Sequence, residues 1–388
     1  MSATAISTEI TAPLEPDWPA IVAVVLAVTC FSVAQGLTYP LISLVLESRQ
    51  VSSVVNGLNA ATFSVGIASS TLMIGRLTGR FAGNHLIIAA LLGCALCLMV
   101  FPLSASLWIW FMARFLLGFC VSLVFILSEA WLNTACPDRL RGRVSGIYGA
   151  GMCAGFAAGP LAIPIFGIQG FAPFLLLAGY LTTVALLTAI ISRGARTTSH
   201  PSPPGGLLHF AAAAPGLIAM VIAFGFGDIT AISGMPVYFI RTGHTEAFAA
   251  LSVTVLALPT AIAQPLVGLL LDKLPRIGVA IGTSMLAAVS YLAIPFLQSD
   301  IAILIAFAII GTASFSLYTC ALTMLGGAYS GGLLVAGSAA FALAYASGSA
   351  GGSMISGVLM EAIAPAAVPI GTGLVLLGFT AVIAFGRR

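Results

Sequence analysis

Long apolar runs separated by short polar gaps make up most of the chain, and no run holds more than two charged residues. A helix needs about 20 residues, at about 1.5 Å of rise each, to cross a hydrocarbon core of about 30 Å. Twelve runs have that length: 20–46, 55–77, 84–103, 107–135, 144–166, 171–192, 211–240, 247–271, 278–297, 301–325, 332–360 and 366–386. Lipid offers no hydrogen-bond partner to backbone groups, so helices are expected. The pattern predicts an all-α membrane protein with twelve transmembrane helices.

Composition and charge agree with a membrane protein and give it an orientation. Apolar residues make up 60% of the 388 residues, against about 45–50% in soluble domains. Eleven of the 14 basic residues lie in one alternating set of gaps or at the C-terminus: Arg76, Arg80, Arg139, Arg141, Arg143, Arg193, Arg196, Lys273, Arg276, Arg387 and Arg388. Basic loops stay on the cytoplasmic side of a membrane. Both termini are therefore expected in the cytoplasm.

The same features exclude several other functions. The net charge of +3 is dispersed and does not favour nucleic-acid binding. The sequence has no Gly-x-x-x-x-Gly-Lys-Ser/Thr phosphate loop and no His/Cys/Asp cluster of the kind that holds a metal. Residues 1–19 contain no Lys or Arg, so we interpret them as a cytoplasmic tail rather than a secretory signal. We expect no cofactor, no metal, no enzymatic activity and a monomer.

The chain divides into two related halves. Prolines and glycines break residues 193–210, which we predict to be a cytoplasmic linker between six-helix bundles over 20–192 and 211–388. Three places match at an offset of 193 residues: Gly75, Leu77, Gly79 and Arg80 onto Gly268, Leu270, Asp272 and Lys273; Gln35 onto Asp228; and Gly155 with Gly159 onto Gly348 with Gly352. Such repeats are expected of transporters whose substrate site lies between two bundles.

A glycine followed by charged residues ends the second and the eighth span. The gating candidates are Gly75, Arg76 and Arg80 in the first copy and Gly268, Asp272, Lys273 and Arg276 in the second. These charges can pair with another helix end in one conformation and separate in the other; alternatively, they are orientation signals only. The spacing resembles the Gly-x-Leu-x-Asp-Arg/Lys-x-Gly-Arg loop of the major facilitator superfamily, although Gly79 replaces the acidic residue in the first copy. The resemblance implies two pseudo-symmetric six-helix bundles that form a secondary transporter.

Two further motifs carry the same resemblance. Span 5 contains Gly155-x-x-x-Gly159-Pro160, and small residues at this spacing let a neighbouring helix pack closely. This stretch is similar to one found in proton-linked drug exporters of the superfamily, although the spacing is frequent in any membrane helix. Arg114 lies four residues before Gly118 in span 4, where an arginine costs about 2.5–3.5 kcal/mol. It resembles the family's Arg-x-x-x-Gly motif, which implies proton transfer or substrate binding; snorkelling to the outer interface is the alternative.

Polar residues within the spans are the other site candidates. We predict that Asp228 and Glu129 couple transport to protons, because desolvation can bring a buried carboxyl into a range where it exchanges a proton near neutral pH. The alternatives are a permanently neutral, helix-pairing Asp228 and a structural Glu129. Our substrate-binding candidates are Arg114, Gln35, Tyr39 and Gln264.

The sequence thus favours a secondary active transporter that moves a small organic solute by alternating access in a bacterial inner membrane. Proton-coupled export is the first expectation, because of the glycine–proline stretch in span 5. Proton-coupled import is the second, and a non-transporting assembly or scaffold protein is the alternative of another class. The expected partners are the solute, protons and the lipid bilayer.

Overall fold

The computed structural model describes residues 16–136, 138–191, 206–329 and 331–385, and these are helical almost throughout. The α-helices are α1 (Trp18–Ser48), α2 (Ser53–Thr78), α3 (Gly83–Leu103), α4 (Leu107–Ala135), α5 (Asp138–Ala158), α6 (Ile163–Phe166), α7 (Ala172–Ile191), α8 (Gly206–Ala213), α9 (Pro215–Ile229), α10 (Met235–Arg241), α11 (Glu246–Lys273), α12 (Arg276–Ala293), α13 (Asp300–Ala328), α14 (Gly331–Ala362) and α15 (Ala367–Phe385). Short 3₁₀ turns cover Gly159–Ala162 and Ile294–Phe296, and a π-helical turn covers Thr230–Gly234.

These elements form the predicted spans. Within the described residues, eleven helical segments are long and apolar enough to cross a membrane, and the seventh of them, Pro215–Arg241, combines α9, the π-turn and α10. Helix α14 has 32 residues and packs between α2 and α9, so by length and position it completes the twelve predicted spans, as the eleventh along the chain. The predicted linker lies mostly outside the described residues, and its described end, from Gly206, is already helical. The bundle boundaries therefore stay a prediction.

Close glycine contacts repeat between the two halves of the chain. A Cβ at Gly155 of α5 would collide with the carbonyl of Thr29 on α1, and a Cβ at Gly348 of α14 would collide with that of Ile222 on α9. The members of each corresponding pair are 193 residues apart, the same offset that the sequence shows. Backbones approach this closely only where a side chain is missing. The helix pair α9–α14 in the second half is therefore equivalent to the pair α1–α5 in the first half.

A second pair of helices repeats in the same way. A Cβ at Gly118 of α4 would collide with the carbonyl of Phe63 on α2, and a Cβ at Gly311 of α13 would collide with that of Leu256 on α11. These residues are also related by 193 positions. The structure thus consists of two pseudo-symmetric helical bundles, as predicted.

The halves contact each other most extensively through two helix pairs, α2 with α14 and α5 with α11. At the first, Gly57 lies against the carbonyl of Ser353, and Gly357 lies against the carbonyl of Ser53. At the second, the Thr254 hydroxyl donates a hydrogen bond of 2.8 Å to the carbonyl of Ala157. The interface between the halves is therefore made of small residues and backbone.

Polar contacts between the halves concentrate at one end of the molecule. Arg241 at the end of α10 makes two hydrogen bonds, of 2.7 and 3.2 Å, to the carboxylate of Glu47 at the end of α1. The hydroxyls of Ser43 and Ser233 lie 2.6 Å apart. The amide of Val54 donates to Glu361, at the end of α14, over 3.0 Å.

At the opposite end, the glycines near the ends of α2 and α11 have no close neighbour. A Cβ at Gly75 or at Gly268 would meet no atom within 4 Å. In the orientation predicted from the basic residues, the tightly paired end is the outer one. In that orientation the structure represents an arrangement whose outer end is held closed by these contacts.

Candidate substrate and proton site

Asp228 occupies the point where the seventh span changes its helical geometry. It is the second-last residue of α9, and the π-turn Thr230–Gly234 follows directly. Such turns inside α-helices are frequent at functional sites. The side chain is half-buried, and its Oδ2 accepts a hydrogen bond of 2.9 Å from the hydroxyl of Tyr345 on α14. Gly225 makes this contact possible, because a Cβ there would lie 2.6 Å from the carbonyl oxygen of Tyr345.

The opposite half contributes an arginine held between aromatic rings. Arg114 on α4 is 1% exposed. Its guanidinium carbon lies 5.6 Å from the ring centre of Tyr39 and 5.3 Å from that of Phe63. Nε and Nη1 have no hydrogen-bond partner among the described residues. Arg114 is therefore buried inside the protein and does not extend to the outer interface.

Tyr39 connects the two sides of the site. Its phenol lies within electrostatic range of both Arg114 and Asp228. Its ring also packs edge-on against Phe63 at 5.1 Å. Tyr39 therefore lies between the Arg114 side of the site and the hydrogen-bonded pair Asp228–Tyr345.

The two glutamines lie in different surroundings. Gln35, one helical turn before Tyr39, is 2% exposed, and its Oε1 has no hydrogen-bond partner among the described residues. Gln264 on α11 accepts a hydrogen bond of 2.8 Å from Thr319 on α13, so it is held within the second half. Gln35 is thus placed beside the central group, whereas Gln264 is attached to its own bundle.

Glu129 lies in α4, and its side chain is exposed even though the helix is central. It acts electrostatically on the phenols of Tyr148 in α5 and Tyr318 in α13, which belong to different halves. Glu129 therefore lies near residues of both halves. The side chains of Arg139, Arg141 and Arg143, its expected structural partners, lie outside the described residues.

Most gating candidates lie at the end opposite the Arg241–Glu47 pair. Arg76, Arg80, Lys273 and Arg276 are exposed. Arg276 donates a hydrogen bond of 3.4 Å to the carbonyl of Thr323 within its own half. The side chain of Asp272 lies outside the described part of the chain. A pairing of these groups across the halves would belong to the opposite conformation and stays a prediction.

The glycine–proline stretch of span 5 packs inside the first half. Gly155 lies against the carbonyl of Thr29, and Gly159 against that of Val33, both on α1. Pro160 lies in the 3₁₀ turn that ends α5. The stretch thus has a packing role against α1 in this conformation.

Sequence reasoning missed two parts of the site. Tyr345 was not among the predicted site residues, yet it donates the hydrogen bond to Asp228. Tyr345 also borders an aromatic group, because Phe224 lies 5.5 Å from it and stacks on Tyr318 at 5.0 Å. The position of Tyr345, three residues before Gly348, was the available signal, since that glycine brings α14 against α9. The π-turn had no signal in the sequence.

Comparison with known proteins agrees with this architecture. The family model of the Major Facilitator Superfamily matches residues 24–353. The chain is 26% identical over 343 residues to the uncharacterized MFS-type transporter YfkF of Bacillus subtilis (strain 168), covering 87% of this chain and 88% of that protein. It is 27% identical over 322 residues to the uncharacterized MFS-type transporter YcaD of Escherichia fergusonii, covering 77% and 80%.

Solved structures share the fold at low sequence identity. The nucleoside transporter NupG superposes with a TM-score of 0.75 at 13% identity, covering 95% of this chain and 98% of NupG. A bacterial homolog of the human lysosomal transporter Spinster, in an inward-facing and unoccupied conformation, superposes with a TM-score of 0.73 at 16% identity, covering 94% of each chain. The predicted family and fold are confirmed: this chain is a multi-pass membrane transporter that belongs to the Major Facilitator Superfamily.

Proposed function

We propose that the protein is a proton-coupled secondary transporter of a small organic solute, with Asp228 as the group that carries the proton. The position of Asp228 is the observation that most strongly supports proton coupling. A carboxylate lies half-buried at the centre of the seventh span, beside a π-turn, with its hydrogen bond from Tyr345 on the partner helix. Intramembrane ionisable groups are costly and are functional by default.

Protonation of Asp228 would change the balance between the two conformations. The ionised carboxylate accepts the Tyr345 hydrogen bond, and such bonds to charged groups contribute about 1.5–3 kcal/mol. A neutral Asp228 weakens that bond and removes a charge from the centre of the membrane. We infer that the two conformations surround Asp228 differently, so that the proton favours one of them, as coupling requires.

The direction of transport depends on how the proton and the solute affect each other. Export by antiport requires that they exclude each other from the site, and uptake by symport requires that each favours the other. Export is the expectation from span 5, but that stretch packs on α1 within one half. The unpartnered Arg114 favours uptake, because it prefers an anion, whose binding is stronger when Asp228 is neutral.

The test uses the purified protein in liposomes that contain a pH-sensitive dye. Solutes added outside are screened for those that move protons, and the Asp228→Asn variant is then compared with the wild type. We expect the variant to lose solute-dependent proton movement but to keep solute exchange down a gradient. The matched control is Asp300→Asn, which changes a 66%-exposed carboxylate at the outer end. Equal proton movement in Asp228→Asn and wild type would refute the assignment.

A further inference from the structure

The guanidinium of Arg114 is the largest unsatisfied polar group in the centre of the described structure. It is 1% exposed, and two of its three nitrogens have no hydrogen-bond partner. Within the described residues no carboxylate pairs with it, and the only charged or titratable neighbour that acts on it is Tyr39. Arginine stays protonated in proteins, so this group carries its positive charge into the core.

The aromatic neighbours do not replace an anionic partner. A cation–π contact contributes about 0.5–2 kcal/mol, whereas burying an unpaired ion costs several kcal/mol. The two rings, at 5.3 and 5.6 Å, leave the in-plane N–H groups without acceptors. Guanidinium donors match the geometry of carboxylate and phosphate groups, which they bind in pairs. The missing partner is therefore expected to be an anion.

The surroundings indicate what the rest of such a ligand looks like. Tyr39 lies 6.0 Å from Phe156 in the first half. The second half contributes the group of Phe224, Tyr318 and Tyr345, and Tyr345 lies within electrostatic range of Tyr39. A headgroup that enters beside the half-exposed Asp228 meets the Tyr39 phenol first and Arg114 behind it. An apolar or aromatic body then lies between the two aromatic groups.

We propose that the cargo is a small organic anion, with a single carboxylate or phosphate held by Arg114 and an apolar body against these aromatic side chains, and that it is transported together with a proton. The first part stands on Arg114 alone. The second part rests on the proposed role of Asp228, because only a titrating Asp228 couples the anion to a proton.

The sign of the coupling follows from the charges at the site. The groups that act on Asp228, or on which it acts, are Tyr39 of α1, Cys153 of α5, Tyr291 of α12 and Tyr345 of α14, and none of them is a base. An anion at Arg114 therefore meets an uncompensated negative charge whenever Asp228 is ionised. Like charges in one site, at an effective dielectric constant of about 20, repel each other by about 1–4 kcal/mol, so each weakens the other's binding at least about fivefold. Anion and proton thus favour each other, which is the condition for symport.

Binding to the purified full-length protein in nanodiscs tests both parts. The probes are benzoate, phenyl phosphate, the neutral benzamide and the cationic benzylamine, and thermal unfolding reports their binding. We expect at least one of the two anions, but neither benzamide nor benzylamine, to raise the unfolding temperature. The affinity for that anion should be at least about fivefold higher at pH 5.5 than at pH 8. Preference for benzylamine, or no selectivity for either anion at both pH values, would overturn the proposal.

Two variants separate the parts. Arg114→Gln should weaken anion binding by at least about thirtyfold, whereas Arg114→Lys keeps the charge and should lose less. Asp228→Asn should still bind the anion, with the pH dependence removed. If Arg114→Gln binds the anion as the wild type does, the cargo class is wrong. If Asp228→Asn keeps the wild-type pH dependence, the proton assignment fails and the anion site stands. The charge selectivity of the wild type remains decisive even if a variant does not fold.

Discussion

Replacing Gly57 by alanine adds one methyl group at the contact of α2 with α14 and tests whether this contact holds the outer end closed. A Cβ at Gly57 would collide with the carbonyl oxygen of Ser353 and lie 3.2 and 3.3 Å from two further backbone atoms of α14. Backbone cannot rotate away as a side chain can, so the helices must separate. Overpacking of this kind costs about 1–3 kcal/mol.

In Gly57→Ala, the overpacking destabilises only the conformation that is closed to the outside. The two halves separate at this end when the protein opens to the outside, so the added methyl group has space there. The ratio of outside-open to outside-closed protein should rise about 5- to 150-fold, since each 1.4 kcal/mol is a factor of ten. The mirror-image change, Gly357→Ala, meets the carbonyl of Ser53 and should act in the same direction.

Hydrogen–deuterium exchange of the protein in nanodiscs reads this shift at both ends. Exchange should rise at the start of α2 and the end of α14, and fall at the cytoplasmic ends of α2 and α11. The control is Gly179→Ala in α7, where a Cβ meets no atom within 4 Å and exchange should stay unchanged. Faster exchange at both ends of Gly57→Ala would mean general destabilisation, and unchanged exchange would mean that the contact does not hold the gate; either result refutes the reasoning.

Two further changes separate gating from folding. Glu47→Gln removes the ion pair with Arg241, whose side chains are 12% and 29% exposed, and a pair of this exposure contributes about 1 kcal/mol or less. The same exchange pattern should appear, with a change of at most about fivefold. High salt screens the ion pair of the wild type, so the difference between the wild type and the variant should disappear there. A wild type that responds to salt no more than the variant does would contradict this role of the ion pair. Gly311→Ala forces a methyl group against the carbonyl of Leu256 inside one half. It should lower the unfolding temperature relative to Gly179→Ala without changing the ratio of exchange at the two ends, and a shifted ratio would argue against an intra-bundle role.

The spans and the repeat could be predicted because both depend on local properties of the sequence. Lipid makes every spanning segment a long apolar helix, and the offset of 193 residues brings Gly155 and Gly348 into equivalent contacts. The offset alone did not identify Gly118 and Gly311, since glycines are common in the chain and only the structure shows which ones face a neighbouring backbone. The length of the apolar runs predicts the spans, but it does not predict the π-turn that interrupts the seventh span.

The charged residues of the candidate site could be selected from the sequence, whereas the residues that contact them could not. Asp228 and Arg114 stand out in the sequence because charges within spans are rare. Tyr345 does not, since one tyrosine in a membrane helix looks like any other until Gly225 and α14 bring it to Asp228. The outer contacts of Gly57 and Glu47 were equally invisible, because they depend on which helix faces which across the two halves.

Uphill transport by the Asp228→Asn variant tests the central claim most directly. Liposomes carrying the wild type, Asp228→Asn or Asp300→Asn receive the same imposed pH gradient and the same solute at equal concentration on both sides. We predict accumulation against a gradient for the wild type and for Asp300→Asn, and equilibration without accumulation for Asp228→Asn. Accumulation by Asp228→Asn that follows the pH gradient as in the wild type would contradict a proton carried at this carboxylate.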